Sequence, residues 1–149
     1  MSDPPDAPAG PPTRVGVGLV RRDDRFLVRR RPEGAALAGL WEFPGGKCEP
    51  GESPDVATRR ECREELGIDV EVVSLRRVAH FRYPHARVEL YYYDCVTCDP
   101  SAHPRLATGF RWVASSELRS LEFPEANGPI VADLAREYPG PVALDGDRS

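Results

Sequence analysis

The sequence lacks any long apolar run. No stretch of its 149 residues approaches the roughly 18 consecutive apolar residues that mark a membrane-spanning helix. The segment Met1–Pro5 has neither the basic start nor the apolar centre of a secretory signal peptide. We therefore expect a cytoplasmic protein that has no membrane partner.

An excess of positive charge is also missing. Lys and Arg total 20 against 24 Asp and Glu, so the formal net charge is −4. Proteins that bind the phosphate backbone of nucleic acids are usually basic, so we expect no polymeric nucleic acid as partner. A mildly acidic protein can still bind a small anion if a metal ion supplies the positive charge.

Cysteine is scarce and poorly arranged for a structural metal site. Of Cys48, Cys62, Cys95 and Cys98, only the last two form a close pair. One C-x-x-C pair without a second pair or a nearby His-x-x-x-His is a weak zinc signal. In the cytoplasm thiols stay reduced, so we interpret the pair as free thiols at the end of a strand.

Large apolar residues are nearly absent from both ends of the chain. Residues 1–12 contain five prolines, and residues 139–149 are similar in character. Such segments cannot bury enough apolar surface to order themselves, so we predict a disordered N-terminal tail over 1–12 and a flexible C-terminal tail over 139–149. Residues 13–138 then form one domain of ordinary size.

The middle of the chain predicts mixed strands and helices. Apolar runs at 15–20 and 26–28 flank Asp23-Asp24, as in a β-hairpin. Ser53 and Pro54 favour a helix start and Gly67 its end. Further strands are predicted at 70–81, 87–96 and 110–113, then a brief helix capped by Ser115 or Ser116, and a final helix over 126–138.

Two glycines lie inside the first predicted strand. Gly16-x-Gly18 has no third glycine at the spacing of a dinucleotide-binding loop. We interpret them as small residues in a closely packed strand.

Three glutamates share one face of the predicted central helix. The spacing of Glu61, Glu64 and Glu65 is i, i+3 and i+4. Like charges at this spacing destabilise a helix by about a few tenths of a kcal/mol per pair. Their clustering is explained if a divalent cation lies among them, because Mg²⁺ prefers carboxylate oxygens. On the neighbouring face Cys62 and Leu66 can pack inward.

The alternative is a solvated charged helix, in which Arg59, Arg60 and Arg63 neutralise the carboxylates. The preceding loop favours a site instead. Gly45 and Gly46 allow unusual backbone conformations and the close approach of a ligand. Glu52 lies just before the helix, where the helix dipole favours a carboxylate, or it pairs with Arg60 and braces the loop.

The whole segment resembles the Nudix box, G-x5-E-x7-R-E-U-x-E-E-x-G-U, where U is a bulky aliphatic residue. The match runs from Gly46 through Glu52 and Arg60 to Gly67 and Ile68, and every fixed position agrees. The one departure is Cys62 at the first U, and cysteine packs as a small hydrophobic residue.

Membership of the Nudix family implies an α/β fold, an α/β/α sandwich with a mixed sheet in which the box forms loop, helix and loop. It implies hydrolysis of a nucleoside diphosphate derivative with Mg²⁺ or Mn²⁺. The implied metal ligands are Glu61, Glu64, Glu65 and the carbonyl of Gly45. Arg60 and Glu52 match the bracing pair, and Glu61 could be the base or a metal-bridging residue.

The chain is also similar to the MutT-type branch of the family, which removes oxidised purine nucleotides. That resemblance makes Arg31, Phe43 and Asn127 candidate substrate-binding residues, Asn127 through the F-P-x-A-N motif at 123–127. Each has a structural alternative: a surface arginine at a strand end, a core aromatic, and a helix N-cap, respectively.

The chain departs from that branch in two places. The loop over 99–109 lacks the branch's additional glutamate, with Asp99 as its only acid, which leaves the number of metals and the identity of the base open. A branch arginine is replaced by Ala86.

We expect a (d)NTP pyrophosphohydrolase, a monomer or homodimer, acting on an oxidised or normal nucleotide. The alternatives are a hydrolase of nucleotide sugars or dinucleotides and a non-catalytic nucleotide-sensing module.

Overall fold

The computed structural model describes residues 10–84 and 86–140. The elements within those residues are β1 (Thr13–Arg22), β2 (Arg25–Arg30), β3 (Trp41–Glu42), β4 (Gly45–Lys47), α1 (Pro54–Leu66), β5 (Val70–Tyr83), β6 (Ala86–Thr97), β7 (Arg111–Ala114), α2 (Ser115–Leu118) and α3 (Gly128–Glu137). Short 3-10 turns occur at Leu106–Thr108 and Glu125–Asn127. Most of the two predicted tails, residues 1–9 and 141–149, lies outside the described residues.

The strands form one mixed sheet. Its order is β3-β2-β1-β6-β5, with β4 also paired to β1 and β7 to β2. β1 runs parallel to β6, whereas the other pairings are antiparallel. The predicted hairpin is confirmed, since β1 and β2 pair across the turn at Asp23-Asp24. β5 and β6 are confirmed as long strands that extend slightly beyond the predicted limits.

Each face of the sheet buries its own apolar cluster. The face towards α1 buries Val20, Leu27, Cys62, Leu66 and Tyr93. The opposite face, covered by α2 and α3, buries Leu19, Phe26, Tyr92, Ile130 and Leu134. Neighbouring strand residues alternate between the two clusters because side chains along a strand point to opposite faces. Burying each large side chain stabilises the fold by about 1.5–3 kcal/mol, and the helix–sheet–helix layering confirms the predicted sandwich.

Close contact between α1 and β1 depends on two glycines. A Cβ added at Gly16 would lie 2.3 Å from Thr58 Oγ1 and 2.5 Å from the Pro54 carbonyl oxygen. A Cβ at Gly18 would lie 2.9 Å from Cys62 Sγ. The interpretation of both as packing residues is confirmed, and the helix carrying the glutamates lies directly on the strand.

Several local predictions need correction. Ser115 is not a cap but the first residue of α2, where it is buried and donates its hydroxyl to the Tyr138 carbonyl. The last helix begins at Gly128 rather than 126, after a 3-10 turn, with Pro129 in its first turn, where a missing N–H costs nothing. β7 begins one residue later than predicted.

The four cysteines all lie in the described part of the chain and are free thiols. Cys95 is buried inside β6, and Cys98 is exposed just after that strand ends. Among the described helices, none is long and apolar enough to cross a bilayer.

Candidate active site

The loop before α1 is fastened to the helix by one arginine. Arg60 donates from Nε to Glu52 Oε2 at 2.8 Å and from Nη2 to Glu52 Oε1 at 2.9 Å, a bidentate pair. Nη2 also donates to the Lys47 carbonyl at 3.1 Å. The hydrogen bonds from Arg60 lower the pKa of Glu52 to about 2. Charge-assisted bidentate pairs fix geometry as well as charge, so loop and helix are held in one register.

The same guanidinium reaches two of the three clustered carboxylates. Arg60 Nη1 lies 3.1 Å from Glu61 Oε2 and 3.0 Å from Glu64 Oε1. Glu61 also lies against the loop, because a Cβ added at Gly46 would be only 2.4 Å from Glu61 Cδ. Glycine at position 46 therefore leaves the space that the Glu61 carboxylate occupies.

Glu65 contacts the loop through the preceding glycine. The Gly45 N–H donates to Glu65 Oε1 at 2.8 Å, and Arg29 Nη2 lies 3.7 Å from Glu65 Oε2. Burial nevertheless raises the pKa of Glu65 to about 7, and the Gly45 N–H and Arg29 offset only part of that effect. Gly45 itself has φ of 153°, and a Cβ there would lie 2.2 Å from the Gly16 carbonyl oxygen, so no other residue fits.

The carboxylates are paired with protein groups rather than with one another. Within residues 10–84 and 86–140, no three Asp, Glu, His or Cys side chains are grouped tightly enough to enclose a metal ion. The donor set nonetheless fits a divalent cation, because Glu61 and Glu65 both reach the Gly45-Gly46 loop and Glu64 shares Arg60 with Glu61. Hard carboxylate oxygens are the ligands that Mg²⁺ and Mn²⁺ select.

A second charged cluster lies next to Glu65, and its central residue, Glu42, was not among the site residues predicted from the sequence. Glu42 accepts from Arg29 Nε at 2.7 Å and from Arg31 Nη1 at 2.5 Å. Arg31 Nε also donates to the Ala36 carbonyl at 2.6 Å, which ties down the loop after β2. Arg29 lies in β2 and Arg31 directly follows the last residue of that strand, and both guanidinium groups reach the Glu42 carboxylate. In the sequence, the arginines two positions apart and the acid Glu42 just before the box were the signal from which this cluster could have been predicted.

Two of the predicted substrate-binding residues already have partners in the protein. Phe43 is 6% exposed and stacks on Phe123, with ring centroids 5.1 Å apart and planes at 22°. Asn127 occupies the N-cap position of α3, yet its Oδ1 accepts a hydrogen bond from the Tyr92 hydroxyl at 2.6 Å. Phe43 is therefore part of the core, and the side chain of Asn127 is oriented by Tyr92, which the sequence analysis did not select.

The loop before β7 is held by contacts of its own. Asp99 accepts from the Ser101 N–H at 2.9 Å and from its hydroxyl at 2.8 Å, so the only acid of this loop stabilises a turn. Trp112 Nε1 donates to His103 Nδ1 at 3.2 Å, and the Arg22 guanidinium stacks 4.5 Å from the Trp112 ring. These contacts fix the loop locally and give its acid a structural role.

Comparison with known proteins places these features in a family context. A family model described as the NUDIX domain matches residues 16–133. The 8-oxo-dGTP diphosphatase of Escherichia coli K12 is 31% identical over 124 residues, which cover 83% of this chain and 96% of that protein. The CTP pyrophosphohydrolase of the same organism is 50% identical over 58 residues, covering 39% of this chain and 43% of that protein.

The fold comparison agrees with the sequence comparison. The solution structure of the MutT protein from methicillin-resistant Staphylococcus aureus 252, a Nudix hydrolase, is similar with a TM-score of 0.70 and 29% identity. The similarity covers 87% of this chain and 99% of the other. It therefore extends over the mixed sheet and the helices on both of its faces.

Proposed function

This chain belongs to the Nudix family and is a Nudix hydrolase, and from that premise we propose that it converts a nucleoside triphosphate into the nucleoside monophosphate and pyrophosphate. The observation that carries the proposal is the contact of Glu61 and Glu65 with the Gly45-Gly46 loop, braced by Arg60 and Glu52. The relatives named for 8-oxo-dGTP and CTP support a nucleotide of this size as substrate. We also propose that the enzyme acts on the nucleotide pool of the cytoplasm.

Glu61, Glu64, Glu65 and the carbonyl of Gly45 are the residues that would hold Mg²⁺ or Mn²⁺. When bound, the ion supplies a Lewis acid for the phosphate oxygens and lowers the pKa of a coordinated water. Arg60 Nη1 lies 3.1 Å from Glu61 and 3.0 Å from Glu64, and its positive charge offsets the repulsion among the carboxylates on this helix face. In the reaction, the oxygen of water bonds to a phosphorus of the anhydride, the bridging P–O bond breaks, and the protons of water pass to the products or to solvent as the nucleoside monophosphate and pyrophosphate form.

The remaining groups bind and orient the nucleotide. We assign Arg31 to a phosphate oxygen, because its side chain is 30% exposed while the contact with Glu42 fixes the position of its guanidinium. We assign Asn127 to the edge of the base, because an amide both donates and accepts. Phe43 acts from within the core, where it supports Phe123 next to the Asn127 turn.

The proposal is tested by pyrophosphate release with Mg²⁺ or Mn²⁺ across 8-oxo-dGTP, the normal dNTPs and NTPs, and ADP-ribose. We expect turnover of at least one triphosphate, its loss with EDTA, and its loss in Glu64→Gln. The matched control is Glu117→Gln, an exposed acid in the first turn of α2, which should retain wild-type turnover.

Each other outcome leads to a definite conclusion. If only ADP-ribose is hydrolysed, the substrate is a diphosphate derivative of another kind and not a nucleoside triphosphate. Unchanged turnover in Glu64→Gln would overturn the metal assignment. If no compound is turned over, the alternative function, that of a nucleotide-sensing module, is favoured over catalysis.

A further inference from the structure

The Tyr92 hydroxyl is buried on the α3 side of the sheet. Tyr92 is 0% exposed, and its hydroxyl lies 2.6 Å from Asn127 Oδ1. Among the described residues this is the one hydrogen bond that the hydroxyl makes. A buried tyrosine hydroxyl without a partner is unfavourable, so Tyr92 and Asn127 depend on each other. Burial raises the pKa of Tyr92 to about 12, and the hydroxyl therefore keeps its proton at neutral pH.

We propose that Tyr92 is a positioning residue that fixes the amide of Asn127 with its NH₂ group towards the base, so that the site favours bases presenting a hydrogen-bond acceptor. A 6-keto purine of the guanine type has such an acceptor, whereas a 6-amino purine presents a donor at the same place. The inference rests on the proposed function, which gives Asn127 the base edge.

The orientation follows from counting donors and acceptors. The asparagine amide has an acceptor end and a donor end. With Oδ1 towards Tyr92, the hydroxyl donates and both groups are satisfied. If the amide were turned over, its NH₂ would face the hydroxyl oxygen, and the hydroxyl proton would have no acceptor. Because a buried unsatisfied donor is costly, the hydroxyl selects one of the two amide orientations.

The position of Tyr92 in the sheet places this pair near the box. Val17 pairs with Gly45 on one side and with Tyr92 on the other, so the three residues form one row across β4, β1 and β6. Adjacent strands are about 4.8 Å apart, so the backbones of Gly45 and Tyr92 are separated by about 10 Å. A nucleotide whose phosphates lie at the box can therefore place its base near Asn127.

Partly buried apolar side chains surround the same part of the sheet. Val17, Ala79 and Leu90 pack against the cluster that contains Tyr92 without being fully buried themselves. They offer apolar surface for the flat face of a base, while the amide of Asn127 supplies the directional contact at its edge. The hydroxyl of Tyr92 thus acts on specificity through Asn127 and makes no contact of its own with the substrate.

The chain provides a matched control one residue away. Tyr93 follows Tyr92 on β6 but packs into the opposite cluster, beside α1. Tyr92→Phe and Tyr93→Phe therefore remove the same hydroxyl from the two faces of one strand. Only the first change releases the amide of Asn127.

The test measures kcat and KM for two substrate pairs, dGTP against dATP and 8-oxo-dGTP against 8-oxo-dATP. The proteins compared are the wild type, Tyr92→Phe, Tyr93→Phe, Asn127→Ala and the double variant Tyr92→Phe/Asn127→Ala. We expect the wild type to prefer the keto purine, and Tyr92→Phe to lower that preference roughly fivefold, the value of one ordinary hydrogen bond. The loss should appear in KM for the keto substrate, with kcat retained. Tyr93→Phe should keep the wild-type preference.

The double variant separates positioning from packing. If Tyr92 acts through the amide, Tyr92→Phe changes the preference no further once Asn127 is alanine. An equal loss in both backgrounds would overturn the proposal, as would an unchanged preference in Tyr92→Phe or a wild type that prefers the amino purine. A wild type that hydrolyses no triphosphate overturns the proposed function itself, which is a distinct result.

A second variant keeps the test decisive if Tyr92→Phe does not fold. In Asn127→Asp one carboxylate oxygen accepts from Tyr92, and the other presents an acceptor to the base. The preference should then move towards the amino purine. A retained preference for the keto purine would contradict the assignment.

Discussion

Arg60 determines the local geometry of the Nudix box at the scale of single residues. It joins Glu52, Glu61, Glu64 and the Lys47 carbonyl through one guanidinium. Only arginine has several donors in a fixed planar arrangement, and a lysine ammonium could not hold the same set. The contact between Arg60 and Glu52 was one of two interpretations of the sequence, and the structure contains it.

Glu52→Gln should reduce the loss of folding stability that occurs as the pH falls into the acidic range. The pKa of Glu52 is about 2 in the folded protein against an ordinary value of 4.5. A lowered folded-state pKa contributes stability that is present above pH 4.5 and is lost as the pH falls towards 2. Urea unfolding at a series of pH values should therefore show the wild type more stable than the variant at pH 7, with the difference disappearing towards pH 2.

Glu49→Gln is the control for this prediction. Glu49 is 67% exposed and lies 3.9 Å from Arg60 Nε, and exposed pairs contribute little. Its substitution should change the free energy of unfolding only slightly at every pH. A Glu52→Gln effect that stayed constant down to pH 2 would mean that the charge of Glu52 is not what stabilises the loop.

The contact between α1 and β1 governs the site at the scale of elements. α1 buries Pro54, Ala57, Thr58, Cys62 and Leu66 on one face. Glu61 and Glu65 are then carried on the side that meets the Gly45-Gly46 loop. The distance between helix and strand depends on Gly16 and Gly18, so a side chain added at either position would move the clustered carboxylates of α1.

Gly16→Ala should destabilise the protein more than Gly18→Ala. The new Cβ of the first meets a backbone carbonyl at 2.5 Å, whereas that of the second meets the Cys62 side chain at 2.9 Å. Overpacking of this kind costs about 1–3 kcal/mol, and a backbone atom can yield less than a side chain. The measurement is the free energy of unfolding from urea titration.

Combining Gly18→Ala with Cys62→Ala tests whether the clash with the Cys62 thiol causes the loss of stability. Removing Sγ makes room for the added methyl group, so the double variant should be more stable than the sum of the two single changes predicts. If the two changes in the free energy of unfolding are strictly additive, the added methyl group displaces the strand and not the Cys62 thiol. Cys62→Ala should not rescue Gly16→Ala, whose clash is with Thr58 and Pro54.

The three layers bring the two halves of the site together at the scale of the whole molecule. α1 carries the carboxylates on one face of the sheet, and Asn127 begins α3 on the other. β1 lies between them, paired with β4 on one side and with β6 on the other. The proposed phosphate chemistry and the proposed base recognition would therefore depend on one continuous sheet.

Divalent metal should raise the thermal stability of the whole molecule. A ligand that binds only the folded state at a hundred times its Kd stabilises by about 2.7 kcal/mol. We expect Mg²⁺ or Mn²⁺ to raise the Tm of the wild type and of Glu117→Gln, and to have little effect on Glu61→Gln. The measurement is differential scanning calorimetry with increasing metal. An equal rise in Glu61→Gln would place the bound ion elsewhere.

The sequence by itself determined the elements whose signals are local. Ser53-Pro54 and Gly67 bound α1, Asp23-Asp24 marked the hairpin, and the box spacing identified the family, because caps, turns and helical periodicity act over a few residues. The inward packing of Cys62 was also evident, since it lies on the face of α1 next to the glutamates.

Only the tertiary structure decided the partners of the residues in the site. Tyr92 and Asn127 are 35 positions apart, and Phe43 and Phe123, whose rings stack, are 80 positions apart. Spacing along a chain predicts which face a side chain occupies, but not which distant side chain lies opposite. Sheet order and register make that choice, because they determine which residues share a row and a buried cluster. Asn127 was therefore identified as a candidate from its motif, and its orientation followed from Tyr92.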